Sequence, residues 1–272
     1  MIKNGLKSLW DQNKPALNGW LSIGNSFSAE IMAAQGYDSL TVDLQHGAVD
    51  YSGALPMLQA MRASGVTPLA RVPWLEPGII MKVLDAGAYG VICPMVNSRA
   101  EAEQLVSYMR YPPKGTRSFG PTRVNFSAGT NYAGEANDEI LCLAMIETAE
   151  AMANLEDIVS TPGLDGVYIG PADLTLGVSN GSLPPGFDRE EPEMVEAIKR
   201  ILAAAKNAGI RAALHCGSPA YAAKAIGWGF DLTTLANDVR LLAAAASESV
   251  SQTRELLGTG GAEADPTDKS GY

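Results

Sequence analysis

Short runs of continuous apolar residues alternate along the chain with longer stretches that are apolar on one side only. The short runs fall at 19–24, 38–43, 67–72, 90–94, 141–146, 165–170, 211–214 and 230–234. Each has the length of a strand buried on both faces, which shows no polar alternation. The longer amphipathic stretches, 26–35, 51–64, 77–86, 98–110, 147–160, 192–208, 219–226 and 237–257, predict helices. Gly36, Gly65 and Gly87 stop three of them, and Ser98 is placed to cap the start of a fourth. Eight strands and eight helices in strict alternation predict an α/β fold, a (β/α)8 TIM barrel. An open doubly wound sheet is the alternative. However, no GxGxxG follows the first strand and no GxxxxGK occurs with a Ser or Thr after it.

Residues 1–257 read as one barrel domain, the first 17 residues as a short amphipathic lead-in, and the Gly-rich polar residues 258–272 as a flexible tail. Two connections are longer than a turn requires. One, 111–138, carries Arg117, Arg123 and Tyr132, and is read as following strand four on the active face. The other, 177–192, is irregular. Connections of such length inside a compact domain are usually functional or disordered.

In a (β/α)8 barrel the chemistry sits at the C-terminal ends of the strands. Polar residues there are Asp43, Gln45 and His46 after strand two, Arg71 at strand three, Glu147 after strand five, Asp173 after strand six and His215 at strand seven. Parallel neighbours lie about 4.8 Å apart, so carboxylates beyond adjacent strands can converge on one cation. Two oxygen ligands with open positions suit Mg²⁺ or Mn²⁺ rather than Zn²⁺. The plainer alternative makes Glu147 the first-turn acid of helix 147–160 and Asp173 the cap of a turn. For Arg71 the alternative is a structural salt bridge to Asp43, since an unpaired guanidinium in an apolar strand is costly.

Charge and composition narrow the partners. A net charge of −10 argues against a nucleic-acid binder, which needs a basic face. The N-terminus lacks an apolar signal core and no stretch approaches the ~18 apolar residues of a membrane span, so export and insertion are not expected. Cys93, Cys142 and Cys216 are far apart and odd in number, the pattern of reduced cysteines in a cytoplasmic protein. A Schiff-base aldolase needs a desolvated lysine on a strand, but Lys82, Lys199, Lys206 and Lys224 fall in predicted helices. His215 and Cys216 are adjacent on a strand and point to opposite faces, which argues against a Cys–His nucleophile.

The segments VDLQHGAVDY (42–51), ARVPW (70–74), VLDAGAYGVICPMV (83–96), MIET (145–148) and DGVYIGPADL (165–174) resemble the HpcH/HpaI family, the metal-dependent pyruvate-forming class II aldolases. The resemblance implies that Glu147 and Asp173 ligate a divalent cation such as Mg²⁺, Mn²⁺ or Co²⁺. It implies that Arg71 binds the keto oxygen and stabilises an enolate, and that His46 is the acid/base. Asp85 matches the acid that partners the histidine, across a subunit boundary. The backbone of Gly170, Pro171, Ala172 and Asp173 lines the pyruvate carboxylate pocket, with the Ala172 and Asp173 N–H groups as donors. Asp43 and Gln45 support this machinery. Gln45 stands where some members carry Glu, and Met145 where some carry a polar residue. No motif of the family falls on His215, which is therefore expected to be dispensable. The implied reaction is retro-aldol cleavage of a 4-hydroxy-2-oxo acid to pyruvate and an aldehyde. The implied assembly is a homo-oligomer, a hexamer, with helix 237–257 packed on a neighbour rather than on its own barrel. The alternatives are a CoA-ester lyase of the citrate/malyl-CoA type and a catalytically silent barrel serving as a binding subunit. Arg117 or Arg123 would pair with a distal carboxylate of the aldehyde, as in 4-hydroxy-2-oxoheptanedioate, or else anchor their own loop.

Overall fold

A closed ring of parallel strands in chain order forms the centre of the molecule. The computed structural model describes residues 1–258; the expected tail, apart from Gly258, lies outside them. The strands are β1 (Ala16–Leu21), β2 (Ser39–Asp43), β3 (Thr67–Arg71), β4 (Gly90–Cys93), β5 (Leu141–Met145), β6 (Gly166–Ile169), β7 (Arg211–His215) and β8 (Leu232–Asn237). β8 pairs back onto β1, so no sheet edge remains open. The fold is the expected (β/α)8 barrel.

Strand parity decides what faces the barrel axis. Leu69, Ile92, Leu141, Leu143, Met145, Tyr168, Ala213 and Leu232 pack together inside the ring. Their neighbours Ala70, Val91, Cys142, Ala144, Val167, Ala212 and Leu214 pack outward against the helices. Both faces are dry, which is why the strands read as continuous apolar runs. All three cysteines are buried and free. The lead-in forms a helix, Gly5–Asp11, capped by Asn4, whose Leu6 and Trp10 pack into the interior cluster and plug its N-terminal end. Among the described residues the barrel interior therefore opens at the C-terminal ends of the strands.

Several boundaries differ from expectation for identifiable reasons. β1 begins three residues earlier than the predicted 19–24. It contains Asn18, a buried polar residue satisfied inside the barrel by Ser39, Thr41 and Thr234. The predicted helix 147–160 is two helices, Ala149–Ala153 and Leu155–Val159, broken at Asn154. Thr148, not Glu147, caps the first of them. The Gly-Pro after β6 starts a helix, Pro171–Val178, with Pro171 at its first position and Asp173 in its first turn. The reading of Glu147 as a first-turn acid and of Asp173 as a turn cap is thus incorrect.

The connection 111–138 is the largest correction. It contains two short helices, Val124–Ser127 and Tyr132–Glu139, and it follows the helix Arg99–Met109 rather than β4. A helix that leaves the C-terminal end of a strand returns the chain to the N-terminal end of the barrel. This connection therefore lies on the face opposite the open mouth.

Candidate active site

Arg71 and Asp43 face each other on adjacent strands, in register. The guanidinium donates from Nε to Oδ1 at 2.9 Å and from Nη2 to Oδ2 at 2.8 Å. Trp20 Nε1 donates to the same Oδ2 at 3.1 Å, and the Arg71 Cζ lies 4.8 Å from the Trp20 ring centroid. Burial alone would raise the Asp43 carboxyl, but the bonds and charge of Arg71 outweigh it and hold Asp43 below the usual carboxylate range. The structural salt bridge weighed for Arg71 is present, and it fixes the guanidinium at the mouth.

Asp43 also shapes the loop that carries His46. Its Oδ1 accepts from the backbone N–H groups of Gln45 at 3.1 Å and His46 at 3.3 Å. The turn closes so tightly that a Cβ on Gly47 would lie 2.4 Å from the Asp43 carbonyl oxygen. His46 ends on the exposed rim of the mouth. Gln45 is half-buried and its Oε1 has no hydrogen-bond partner.

Glu147 lies buried just beyond β5 and accepts the Met95 N–H at 2.8 Å. Met95, at the exit of β4, has a φ of 55°, an uncommon value for a residue with a side chain. Across from it a Cβ on Gly170 would come within 2.5 Å of Glu147 Oε2, so glycine keeps that oxygen accessible. Burial pushes the Glu147 carboxyl up to about 7, with the nearby Asp173 charge adding to the rise. A desolvated carboxyl pushed up beside a second carboxylate is the donor set that a divalent cation relieves. Among the described residues no three His, Cys, Asp or Glu side chains gather as a metal site. A cation here would thus take two protein carboxylates and leave its other positions to water and substrate. The pair fits Mg²⁺ or Mn²⁺ by its hard oxygen donors.

The raised carboxyl gives the cation-free protein a pH signature. Glu147 binds its proton up to about pH 7 when folded, against 4.5 as the ordinary value of the unfolded chain. Between those limits the native state holds more protons, so this group's contribution to stability falls as pH rises. In chelator, the melting temperature of the parent is expected to fall more from pH 5 to pH 7.5 than that of Glu147→Gln. Calorimetry giving the same pH slope for both proteins would contradict the burial of an uncompensated carboxylate here.

The helix Pro171–Val178 points its N-terminus at the same mouth. Ala172 is buried and Asp173 half-buried in its first turn, where backbone N–H groups lack intrahelical acceptors. Pro171 has no N–H to give. His215 also belongs to this wall, as its place at the end of strand seven led the sequence to expect. Its ring lies edge-on to Trp20, with 4.8 Å between centroids, and stacks on Phe187 at 4.8 Å. Parity agrees: Ala213 and His215 share the inward face of β7.

Three residues named from the sequence are not brought to this mouth. Asp85 ends the helix Pro77–Asp85, at the opposite end of the barrel from His46. Its Oδ1 accepts from Arg117 Nη2 at 2.7 Å. Arg117 is buried and also donates to the Tyr132 hydroxyl at 3.0 Å. Arg123 donates to the carbonyls of Ala86 and Leu58. Both arginines anchor their own connection, and neither reads an aldehyde at the mouth of its own chain. A cavity of about 170 Å³, lined in part by Leu58, Arg62, Tyr89 and Arg123, lies on that same N-terminal face and is separate from the mouth.

The profile of the HpcH/HpaI aldolase/citrate lyase family matches residues 18–245, which spans every element of the site. The chain belongs to this family. A hydroxypyruvate/pyruvate aldolase of Rhizorhabdus wittichii is 43% identical over 253 residues, covering 93% of this chain and 100% of that one. A 4-hydroxy-2-oxo-heptane-1,7-dioate aldolase of Salmonella heidelberg is 36% identical over 253 residues, covering 89% and 94%. Among solved structures, an HpcH/HpaI aldolase/citrate lyase family protein of Burkholderia cenocepacia superposes with a TM-score of 0.84 at 30% identity, covering 92% and 99%. As an HpcH/HpaI protein, the chain is a carbon–carbon lyase of the aldolase type. Among the described residues no helix is long and apolar enough to cross a membrane.

Proposed function

We propose that this aldolase is metal-dependent and cleaves 4-hydroxy-2-oxo acids reversibly to pyruvate and an aldehyde through a pyruvate enolate. The observation that carries the reading is the meeting of two kinds of group at one mouth. The carboxylate pair Glu147 and Asp173 lies beside a guanidinium, Arg71, that Asp43 holds by two hydrogen bonds. Glu147 and Asp173 would hold the cation, which when bound supplies Lewis-acid polarisation of the keto group. The N–H groups of Ala172 and Asp173 take the substrate carboxylate at the helix N-terminus. Arg71 donates to the keto oxygen, and its donation strengthens as that oxygen gains charge. His46 accepts the proton of the 4-hydroxyl. As that proton leaves, the C4–O bond becomes a carbonyl, the C3–C4 bond breaks and its electron pair passes into the C2–C3 enolate. Protonation at C3 completes pyruvate.

The test requires no knowledge of the aldehyde. With a divalent cation, the methyl protons of pyruvate are expected to exchange with deuterated water, followed by NMR, and to stop exchanging in chelator. No exchange with Mg²⁺, Mn²⁺ or Co²⁺ would overturn the reading.

The same reading includes a homo-oligomer, a hexamer. The final helix, Asp238–Leu256, does not bury itself on its own barrel: Leu242 is 64% exposed, Val250 51% and Leu256 89%. An isolated helix with apolar residues left in water favours a second copy as its cover. Asp85, remote from His46 in its own chain, reaches a histidine only on another copy. Light scattering is expected to give about six chains per particle; a fully active monomer would refute the assembly and the catalytic role of Asp85 together.

A further inference from the structure

His215 is the titratable side chain at the mouth to which the proposed reaction gives no task. It lies between two aromatic rings and ends a buried chain of hydrogen bonds. Asn18 Oδ1 accepts from Ser39 Oγ at 2.8 Å and Thr41 Oγ1 at 3.1 Å. Asn18 Nδ2 donates to Thr234 Oγ1 at 2.9 Å. Thr234 Oγ1 and the Tyr168 hydroxyl are 2.7 Å apart, and that hydroxyl is 3.0 Å from His215 Nδ1.

The direction of the protons follows from this order. Thr234 already accepts from Asn18, and among the described residues its own proton has no acceptor but the Tyr168 oxygen. Tyr168 then donates its hydroxyl hydrogen bond to His215 Nδ1. A neutral imidazole that accepts at Nδ1 carries its hydrogen on Nε2. The ring does stay neutral: burial first, and then the Arg71 charge, push His215 down to about 3. It is therefore no rival to His46 as a base. With Nδ1 turned inward onto Tyr168, the edge left toward the open mouth is the one bearing Nε2–H, and the residue is partly exposed. Trp20 connects this edge to the reacting centre, because it also lies under the Arg71 guanidinium and bonds Asp43. Phe187 covers the other side from the connection 177–192, at the tip that Asp188 ties to the Gly217 N–H at 2.7 Å.

We propose that His215 is a specificity-determining residue that offers a fixed, neutral Nε2–H donor to the aldehyde half of the substrate and favours aldehydes bearing a hydroxyl or keto oxygen next to the reacting carbonyl. The proposal rests on the aldolase reading above and adds the chemistry of the second substrate. A bed of Trp20 and Phe187 with one oriented donor accepts an aliphatic aldehyde by contact alone and an oxygenated one by contact plus a hydrogen bond.

The test compares pyruvate addition to glycolaldehyde and to propionaldehyde, which differ by a hydroxyl in place of a methyl. The parent is expected to favour glycolaldehyde in kcat/KM. His215→Leu is expected to lower that preference roughly three- to tenfold, the worth of one neutral hydrogen bond. His215→Gln, whose amide N–H reaches a similar place, is expected to restore part of it. Tyr168→Phe, which removes the hydroxyl that orients the ring without touching the mouth, is expected to lower the preference less. Solid-state ¹⁵N spectra of the parent, whose chain has 2 histidines, are expected to show His215 as the Nε2–H tautomer. An Nδ1–H tautomer, or an equal loss with both aldehydes in His215→Leu, makes the residue a structural support and overturns the proposal. Failure of the parent to exchange pyruvate protons with any divalent cation overturns the aldolase reading first, and this inference with it. Exchange in the parent with an unchanged aldehyde preference in His215→Leu removes this inference alone.

Discussion

Glu147→Ala and Asp173→Ala are each expected to leave a folded barrel that neither binds a divalent cation nor cleaves substrate. In the proposed site these two carboxylates are the protein's ligands to the cation, so losing either leaves a single ligand. Lewis-acid polarisation is worth several kcal/mol of transition-state stabilisation, and each 1.4 kcal/mol is a factor of ten. A loss of about three orders of magnitude or more is the expected result. Asp173 is half-buried in a first turn, so its removal costs the helix only a favourable dipole contact of about 0.3–1 kcal/mol. Glu147→Ala instead orphans the Met95 N–H but relieves a buried, uncompensated carboxylate, and these effects oppose. Cation binding is read by calorimetric titration with Mn²⁺ and turnover by pyruvate release. Chelator is expected to reproduce both variants, with recovery on adding Mn²⁺, Mg²⁺ or Co²⁺. Full turnover in chelator-treated protein would remove the class II mechanism while leaving the family intact.

The barrel was legible because two-sided burial leaves apolar runs that no amphipathic helix shows. Where a strand broke that rule, the reading slipped. Asn18 is polar yet lies inside β1, since its partners Ser39, Thr41 and Thr234 come from two other strands and only the closed ring supplies them. Asp43, Arg71, Glu147 and Asp173 were legible because each stands at or just past a strand end. Their supports were not. That Trp20 would hold both Asp43 and Arg71, or that Tyr168 would orient His215, depends on inward parity in strands whose aromatic residues look like ordinary core. The misplaced connection 111–138 has a different cause. Its position in the alternation, after a helix, already assigned it to the N-terminal face, and its polar composition suggested a substrate loop. Topology outweighs composition there: Arg117 is buried on Asp85 and Tyr132. The helix Pro171–Val178 was hidden by reading Gly-Pro as a turn, although Pro is common at a helix's first position.

Removing Arg71 and removing His46 are expected to fail in different ways. In the proposed mechanism Arg71 faces the oxygen that becomes charged in every reaction of this site, whether or not an aldehyde is present. Arg71→Ala should therefore suppress aldol cleavage and pyruvate proton exchange together, each by about 10²–10³, the usual cost of one such electrostatic contact. The same change strands Asp43, 1% exposed, without its cation partner. Breaking a buried pair from one side costs about 3–5 kcal/mol of stability, so rates have to be compared well below the lower melting temperature. Arg71→Asn paired with Asp43→Asn removes the stranded charge, and if activity loss came from unfolding it would return there. Arg71→Lys should rescue poorly, because a point charge cannot make both bonds to Asp43 and still address the substrate oxygen. His46 stands on the exposed rim, and the proposed mechanism gives it only the proton of the aldehyde-derived hydroxyl. His46→Ala should melt like the parent, lose cleavage by roughly 10²–10⁴, and keep measurable proton exchange. The decisive quantity is the ratio of exchange to cleavage. It should rise steeply in His46→Ala and stay near the parent's in Arg71→Ala. If the two variants shift that ratio equally, one residue is not serving the enolate and the other the hydroxyl, and the division of labour at this mouth has to be redrawn.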